Sequence, residues 1–275
     1  MRVALCCIAK NEELYINDFV KWYVNIGIDT IYIFDNGIVD SKDISDFIDE
    51  KLHKHIQVIN IKGLQEEKMQ QHIYNDFYKK FNKNFDWCCF FDIDEFLICV
   101  PNIKLLLSQP TYRRYNQIRI KWRLFGDDDL ITRDMSKPVY KVFKRELHSS
   151  LMRDLMTKGN LEIQGKFILR GGLSNIYISS PHFASYGGRN NLVESCLPSG
   201  RKCDSKVEIK ENYEYEGIYL NHYMTKSLSE FVNQKLNRND AVYHKNISIE
   251  YYLRINTLNE EKRKYLDSLG IKYEL

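Results

Sequence analysis

The sequence has no long apolar run, no paired-cysteine motif, no glycine-rich phosphate loop and no marked excess of charge of one sign. Each absence removes a class of function. No stretch approaches the ~20 apolar residues that cross a bilayer. The apolar start, Val3 to Ala9, runs straight into Lys10-Asn11-Glu12. It is too short for a signal peptide and lacks a cleavage region, so a cytoplasmic location is the expectation. Lysine and arginine number 40 against 37 acidic residues, a net +3 over 275 positions, which supplies no field for nucleic acid. Scattered basic residues such as Arg113-Arg114 allow peripheral contact with the inner face of a membrane without arguing for it. The cysteine count is odd, at 7, and the adjacent pairs Cys6-Cys7 and Cys88-Cys89 lie inside apolar runs. That pattern suits buried, reduced thiols rather than a disulfide framework, and no CxxC or paired Cys/His spacing suggests structural zinc.

What is present centres on Phe85 to Leu97, FDWCCFFDIDEFL. An apolar run, Trp87 to Phe91, ends abruptly in Asp92-Ile93-Asp94-Glu95. Runs of this kind read as strands buried on both faces, and ligand sites of open α/β sheets sit at the carboxyl ends of such strands. Clustered carboxylates there are costly to bury unless a cation compensates. Asp92 and Asp94 alternate, so in a strict strand they share a face and can converge on one ion. Oxygen ligation with room for water suits Mg²⁺ or Mn²⁺ on a substrate's phosphates. The competing reading is a strand that ends in a solvated acidic turn.

In chain order, Arg2 to Ala9 reads as a first strand, with Asn11 able to cap the helix that follows and Gly27 ending it. Thr30 to Phe34 is a second strand, again ending in an acid, Asp35-Asn36-Gly37 with Asp40 after it. Ile44 to Leu52 looks helical, Ile56 to Ile61 is a third strand, Glu66 to Phe81 a helix, and the acidic motif closes the fourth strand. This alternation predicts an α/β fold with a doubly wound, mostly parallel central sheet and a smaller second region. The expected divisions are 1–110, 111–242 and a helical tail at 243–275. In a parallel sheet Asn11-Glu12, Asp35-Asn36 and Asp92-Asp94 fall on one edge. Each alone can be a helix start or a turn; together they predict a nucleotide-phosphate pocket.

These residues carry a resemblance. The set Asn11-Glu12, Asp35-Asn36-Gly37 with Asp40, and Asp92-Ile93-Asp94 resembles the nucleotide-sugar half of a glycosyltransferase with the A-type fold. Ala9-Lys10-Asn11-Glu12 with Trp22-Tyr23, Phe91 to Phe96, Lys121-Trp122-Arg123-Leu124-Phe125-Gly126 and Asn221 to Ser227 narrow it to family 92 and related family 2-like bacterial enzymes. The likeness runs from about Val3 to Ala241, and the order of its motifs carries it more than the Asp-x-Asp alone. It implies Glu12 and Asp35 on the uridine, Asp92 on ribose or metal, and Asp94 as the principal metal ligand. It adds Asn11, Asn36 and Ile93 to the donor site. Gln70 and Gln71, on the helix before the motif, are candidates lining the base pocket, against the plainer reading of solvent-facing glutamines. A uridine-diphosphate sugar is the implied donor and a glycan or lipid-linked saccharide the acceptor, which makes 1–110 the nucleotide-sugar half and 111–242 the smaller acceptor-side half. A developing diphosphate charge needs neutralising whatever the family, and a divalent ion does this as a Lewis acid.

The second half is less periodic. Ile118 to Trp122, Gly165 to Arg170 and Ile176 to Phe183 read as strands, and Ser185 to Ser205 as a loop. Inverting transfer needs a carboxylate to take the acceptor's proton. The resemblance places an acceptor-side loop at Phe125-Gly126-Asp127-Asp128-Asp129, with Asp127 the first choice of base and Asp128 the second. Related members often carry small polar residues there, so this chain departs from them. Asn221-His222-Tyr223 follows a strand-like stretch and precedes a helical register of Leu228, Phe231, Val232 and Leu236. The resemblance makes His222 the third metal ligand, with His182 competing for the role and Lys226 on the leaving diphosphate. Imidazole favours Mn²⁺ over Mg²⁺. Two rivals stand beside this reading. A haloacid-dehalogenase-type phosphatase also uses Asp-x-Asp, but wants Thr or Val where this chain has Phe96. A non-catalytic carbohydrate-binding or scaffold protein needs neither the carboxylates nor the lysine. A nucleotidyltransferase is disfavoured by the missing phosphate loop.

Overall fold

The computed structural model describes residues 1–147, 165–187, 193–203, 217–236 and 247–274. They form two compact units, Met1–Trp122 with Glu162–Leu220, and Arg123–Leu161 with Asn221–Leu275. This differs from the expected halves at 110 and 242. The strands after Tyr115 join the first unit, and the C-terminal helices share a core with the segment around Phe231 instead of forming a separate tail.

In the first unit, β1 (Val3–Ala9), β2 (Thr30–Asp35), β3 (Ile56–Asn60) and β4 (Trp87–Phe90) make a parallel block. Their order is β3-β2-β1-β4, so the expected parallel α/β sheet is present. The chain winds outward from β1 to β3 and then crosses back to lay β4 on β1's other side. β5 (Glu95–Ile98), β6 (Gln117–Leu124), β7 (Gly165–Arg170) and β11 (Tyr219–His222) extend the sheet in the order β7-β6-β11-β5 beyond β4. β7 is antiparallel to both β4 and β6. β10 (Ser195–Cys196) pairs with β6, and β8 (Ile176–Ser180) and β9 (Phe183–Tyr186) form a separate hairpin.

Two helices cover the parallel block. α1 (Ile16–Asn25) buries Phe19 and Tyr23 against Phe91 and Phe96, with ring centroids at 5.7 Å for Tyr23–Phe91 and 6.2 Å for Phe19–Phe96. α2 (Met69–Phe81) buries Ile73, Tyr74 and Phe77 among Tyr32, Phe90 and Phe167. Aromatic pairs at these spacings contribute beyond their area.

Several local expectations are corrected. Asn11 does not cap α1: it takes a left-handed φ of 57°, and the Glu12 carbonyl accepts from Tyr15 and Ile16 N–H before the helix starts. Gly27, with φ 103°, does end the helix, a conformation open to glycine alone at little cost. Ile44 to Leu52 forms two short 3₁₀ segments, and Ile176 to Phe183 is the two-stranded turn of a hairpin rather than one strand. Asp92 to Asp94 lie outside β4, in a turn that leads at once into β5.

In the second unit, α4 (Val139–Val142) follows the acidic loop, after α3 (Ile103–Leu107) in the first. α5 (Leu228–Gln234) starts with a capping box, Ser227 and Glu230 satisfying each other's backbone donors. Leu228 and Phe231 pack with Ile249 and Tyr252 of α6 (Ile249–Leu253) and Leu266 of α7 (Glu260–Ser268). Buried Arg133 anchors Glu230 at 2.6 Å. Among the described residues, no helix is long and apolar enough to cross a membrane.

Candidate active site

The acidic turn is tied at both ends. Glu95 N–H donates to the Asp92 carbonyl at 3.0 Å, and Asp92 N–H donates back to Glu95 Oε2 at 2.8 Å. Trp122 Nε1, on β6, donates to Glu95 Oε1 at 2.7 Å. Glu95 has no exposed surface. Burial pushes its carboxyl well above the usual range, Lys166 opposes this, and Asp92 and Asp94 add to it. Its two charge-compatible donors are what make such a position tolerable.

Asp92 itself is gripped from two elements. Gln70 Nε2 and Tyr74 OH, on α2, donate to its Oδ1, the hydroxyl at 3.3 Å. Lys166 Nζ, on β7, reaches its Oδ2 at 2.8 Å and is 1% exposed. Burial pulls the Lys166 ammonium down, but Asp92, Glu95 and Asp94 together hold it above the ordinary lysine value. Asp94 and Ile93 are buried beside it. Of the two glutamines considered, Gln70 meets the motif, while Gln71 donates to Tyr177 OH at 2.9 Å.

Asp35 and Asn36 are largely committed to their own loop. Asp35 Oδ1 accepts from Gly37 N–H at 3.0 Å and Oδ2 from Ile44 N–H at 3.1 Å, with Lys62 Nζ at 3.6 Å. The Asn36 amide, oriented to donate, reaches the Leu64 and Ile61 carbonyls at 3.2 and 3.1 Å. These bonds explain the loop's shape. Glu12 is buried at the end of β1, near enough to Cys7 to raise its thiol together with Asp92, burial being the larger cause.

His182 sits in the β8–β9 hairpin with Nδ1 2.8 Å from the Gly165 carbonyl. A carbonyl only accepts, so Nδ1 carries the hydrogen and Nε2 keeps a lone pair. Burial, then the Lys166 charge, push the imidazole down to about 3, so it is neutral at physiological pH. Trp122 meets it edge-on at 5.3 Å. A neutral imidazole oriented by a carbonyl is the form that ligates a metal. Among the described residues, no three His, Cys, Asp or Glu side chains gather into a metal cage. Asp92 lies near enough to His182 to act on its imidazole, so a carboxylate and an imidazole stand at this edge, short of a cage.

The other expected residues fall in the second unit. His222 ends β11, and Lys226 is buried with a left-handed φ of 57° just before the capping box of α5. Asp127 has no exposed surface: its Oδ2 accepts from Lys262 and Tyr252 OH, and its Oδ1 from Arg145 Nη2 at 3.0 Å and Asp129 N–H at 2.9 Å. Asp128 accepts from the backbone N–H of Lys144 and Arg145 at 2.6 and 2.8 Å. Both carboxylates expected as a base are thus filled by donors that shape the loop.

The sequence reading passed over Glu95 and Lys166. Their only local signal is charge placed inside otherwise apolar strand sequence, EFLI and GKFILR.

No family model matches the sequence, and no curated protein matches it. Solved structures do. Glucosyl-3-phosphoglycerate synthase from Mycobacterium tuberculosis is 12% identical with a TM-score of 0.33, over 62% of this chain and 56% of that one. Mannosyl-3-phosphoglycerate synthase from Rubrobacter xylanophilus is 13% identical with a TM-score of 0.29, over 62% and 53%. The bifunctional glycosyltransferase WbbM is 10% identical with a TM-score of 0.33, over 62% and 31%. The chain spans about half the length of the two synthases and less of WbbM. Likeness at this level carries no argument about the site, which stands on its own geometry.

Proposed function

We propose that the chain is a glycosyltransferase of the A-type fold that moves a hexose, galactose by the resemblance, from a uridine-diphosphate sugar to a saccharide or lipid-linked acceptor. The observation that carries this is the place of the Asp92-Ile93-Asp94 turn. It follows the carboxyl end of β4, beside the end of β1, where the winding of the parallel block reverses. That crevice is the general ligand site of open α/β sheets. Clustered acids held rigidly there suit a cation-bridged diphosphate.

Within this reading, Asp94 and the Nε2 of neutral His182 hold Mn²⁺, or Mg²⁺, with Asp92 beside them; the ion supplies Lewis-acid neutralisation of the leaving diphosphate. Glu95, Trp122 and Lys166 keep the turn in shape, so that no reorganisation is needed when charge develops. Glu12 lines the β1 side of the crevice. Lys226 and His222 remain donor and metal candidates from the resemblance. An inverting step needs a base near the acceptor, and the donors already filling Asp127 and Asp128 leave the donor half as the support for this proposal.

One contact favours a second reading. A carboxylate with a buried ammonium at 2.8 Å also suits an aspartyl nucleophile for phosphoryl transfer. Asp92 would attack the phosphorus of a phosphate monoester, the P–O bond to the alcohol would break and the alcohol leave with a proton, and water would then hydrolyse the aspartyl phosphate to free phosphate and the carboxylate. Calorimetric titration of uridine diphosphate, with and without Mn²⁺, into wild type and Asp94→Ala separates the two. Tight binding that needs both the ion and Asp94 supports the transferase. Absent nucleotide binding in a folded sample, with turnover of a phosphate monoester, overturns it in favour of the phosphatase.

A further inference from the structure

We propose that Lys166 is a resident counter-cation of the acidic turn: it holds Asp92 before any divalent ion arrives and weakens the turn's hold on that ion. The inference rests on the donor-site reading only for the identity of the ion, and its tests use no nucleotide.

The register places Lys166 for this task. β7 is antiparallel to β4 with Phe167 opposite Phe90, so Lys166 lies alongside Phe91, next to the start of the turn. On its other side it pairs with Ile120 of β6, so its backbone is fixed from both flanks. Gly165 beside it has no room for a side chain: an added Cβ would lie 1.9 Å from the Ile120 carbonyl oxygen, which keeps the two strands at close approach. The ammonium therefore has little freedom to leave Asp92, which it meets at 2.8 Å with 1% of its side chain exposed. A buried ammonium without that partner would be strongly disfavoured.

Asp92 is engaged on both oxygens, by Lys166 on one and by Gln70 and Tyr74 on the other. A divalent ion at the turn would share Asp92, whose side chain is 36% exposed, with the ammonium or bind beside it, and in either case would feel its repulsion. Lys166 is thus a positioning residue that shapes the turn and weakens its hold on cations. Such a site releases its ion readily while staying folded without one.

Mn²⁺ titration of the metal-free protein, read from the paramagnetic resonance of free Mn²⁺, tests this directly. Lys166→Met is expected to bind Mn²⁺ about tenfold more tightly than wild type, since one positive charge has left a low-dielectric site. Lys166→Arg is expected to stay near wild type. A residue that merely supports the fold would give the opposite sign, weaker binding on removal. Asp92→Asn is the second arm, and it does not depend on Lys166→Met folding. It is expected to move the affinity the other way, weakening Mn²⁺ binding about tenfold or more, since a negative charge has left and the buried ammonium stays. Asp94→Asn is expected to abolish binding. Amide exchange of residues 91–96 in metal-free buffer is expected to be slow in wild type and unaltered by Mn²⁺, but fast in Lys166→Met. The proposal is overturned by equal or weaker Mn²⁺ binding in Lys166→Met, or by Mn²⁺ binding in Asp92→Asn as tight as in wild type. Failure of uridine diphosphate to bind any variant would sink the donor-site reading and leave these results standing.

Discussion

Lys262 and Asp127 form an ion pair in which neither side chain has exposed surface. Deleting the ammonium as Lys262→Met strands the carboxylate in a desolvated loop. Removing one partner of a buried pair costs ~3–5 kcal/mol. Here Arg145 Nη2 still touches Asp127 at 3.0 Å, but its side chain is 43% exposed and its contribution correspondingly screened. Tyr252 OH, Asp129 N–H and Arg145 keep the carboxylate partly solvated, which sets the expected loss near the bottom of that range, about 3 kcal/mol. The assay must report on the second unit. All three tryptophans, Trp22, Trp87 and Trp122, belong to the first, so their fluorescence follows the wrong part of the chain. Amide exchange of α5, α6 and α7 is the suitable probe, and about 3 kcal/mol corresponds to opening on the order of a hundredfold more frequent. The double variant Asp127→Asn/Lys262→Met removes both charges and is expected to recover more than half of the loss. A single-variant cost below about 1 kcal/mol would refute the claim that the pair is desolvated. The same series addresses catalysis. Asp127→Asn is expected to loosen the second unit; abolition of turnover with its exchange unchanged would restore Asp127 as the base.

Glu95→Gln keeps an acceptor for Trp122 Nε1 but turns an NH₂ toward Asp92 N–H; we expect a loss of about 1–3 kcal/mol in denaturant unfolding followed by tryptophan fluorescence. Gly165→Ala drives a Cβ into the Ile120 carbonyl at 1.9 Å, backbone against backbone, and should destabilise by at least ~2 kcal/mol in the same assay. His182 is expected to stay neutral down to pH 4 in the folded protein, its C2 proton resonance unmoving between pH 8 and 4, since its value lies at about 3. A depressed value means the unfolded chain takes the proton first. Stability from this group is therefore complete above the ordinary histidine value of ~6.5 and falls with pH below it, by up to about 1.4 kcal/mol per unit, until about pH 3. A midpoint above pH 5 would refute the described burial.

What the sequence made legible follows from how apolar pattern and charge report structure. β1, β2 and β4 announce themselves because strands covered on both faces are continuous apolar runs, and the abrupt acids after them mark the carboxyl edge of the sheet. Gly27 is legible because a left-handed helix stop selects glycine. Asn11 misleads for a related reason: asparagine serves both as a cap and as a left-handed residue, and only tertiary context chooses. β5 is hidden because a four-residue strand after a turn without glycine or proline has no punctuation.

The residues that hold the acidic turn were hidden for a deeper reason. Lys166 in GKFILR reads as the solvent-facing position of a strand, and Glu95 as part of a polar turn. Burial of either is favourable only because the other lies nearby with Asp92 and Trp122 between β4, β6 and β7. Those strands are separated by long stretches of chain, so no local window contains both halves of the compensation. Acids that follow a buried strand stand at a strand end, and a strand end is a local feature. The charges that steady those acids obey no such rule. They are found by asking which buried charge needs a partner, a question that can be posed only once the strands are side by side.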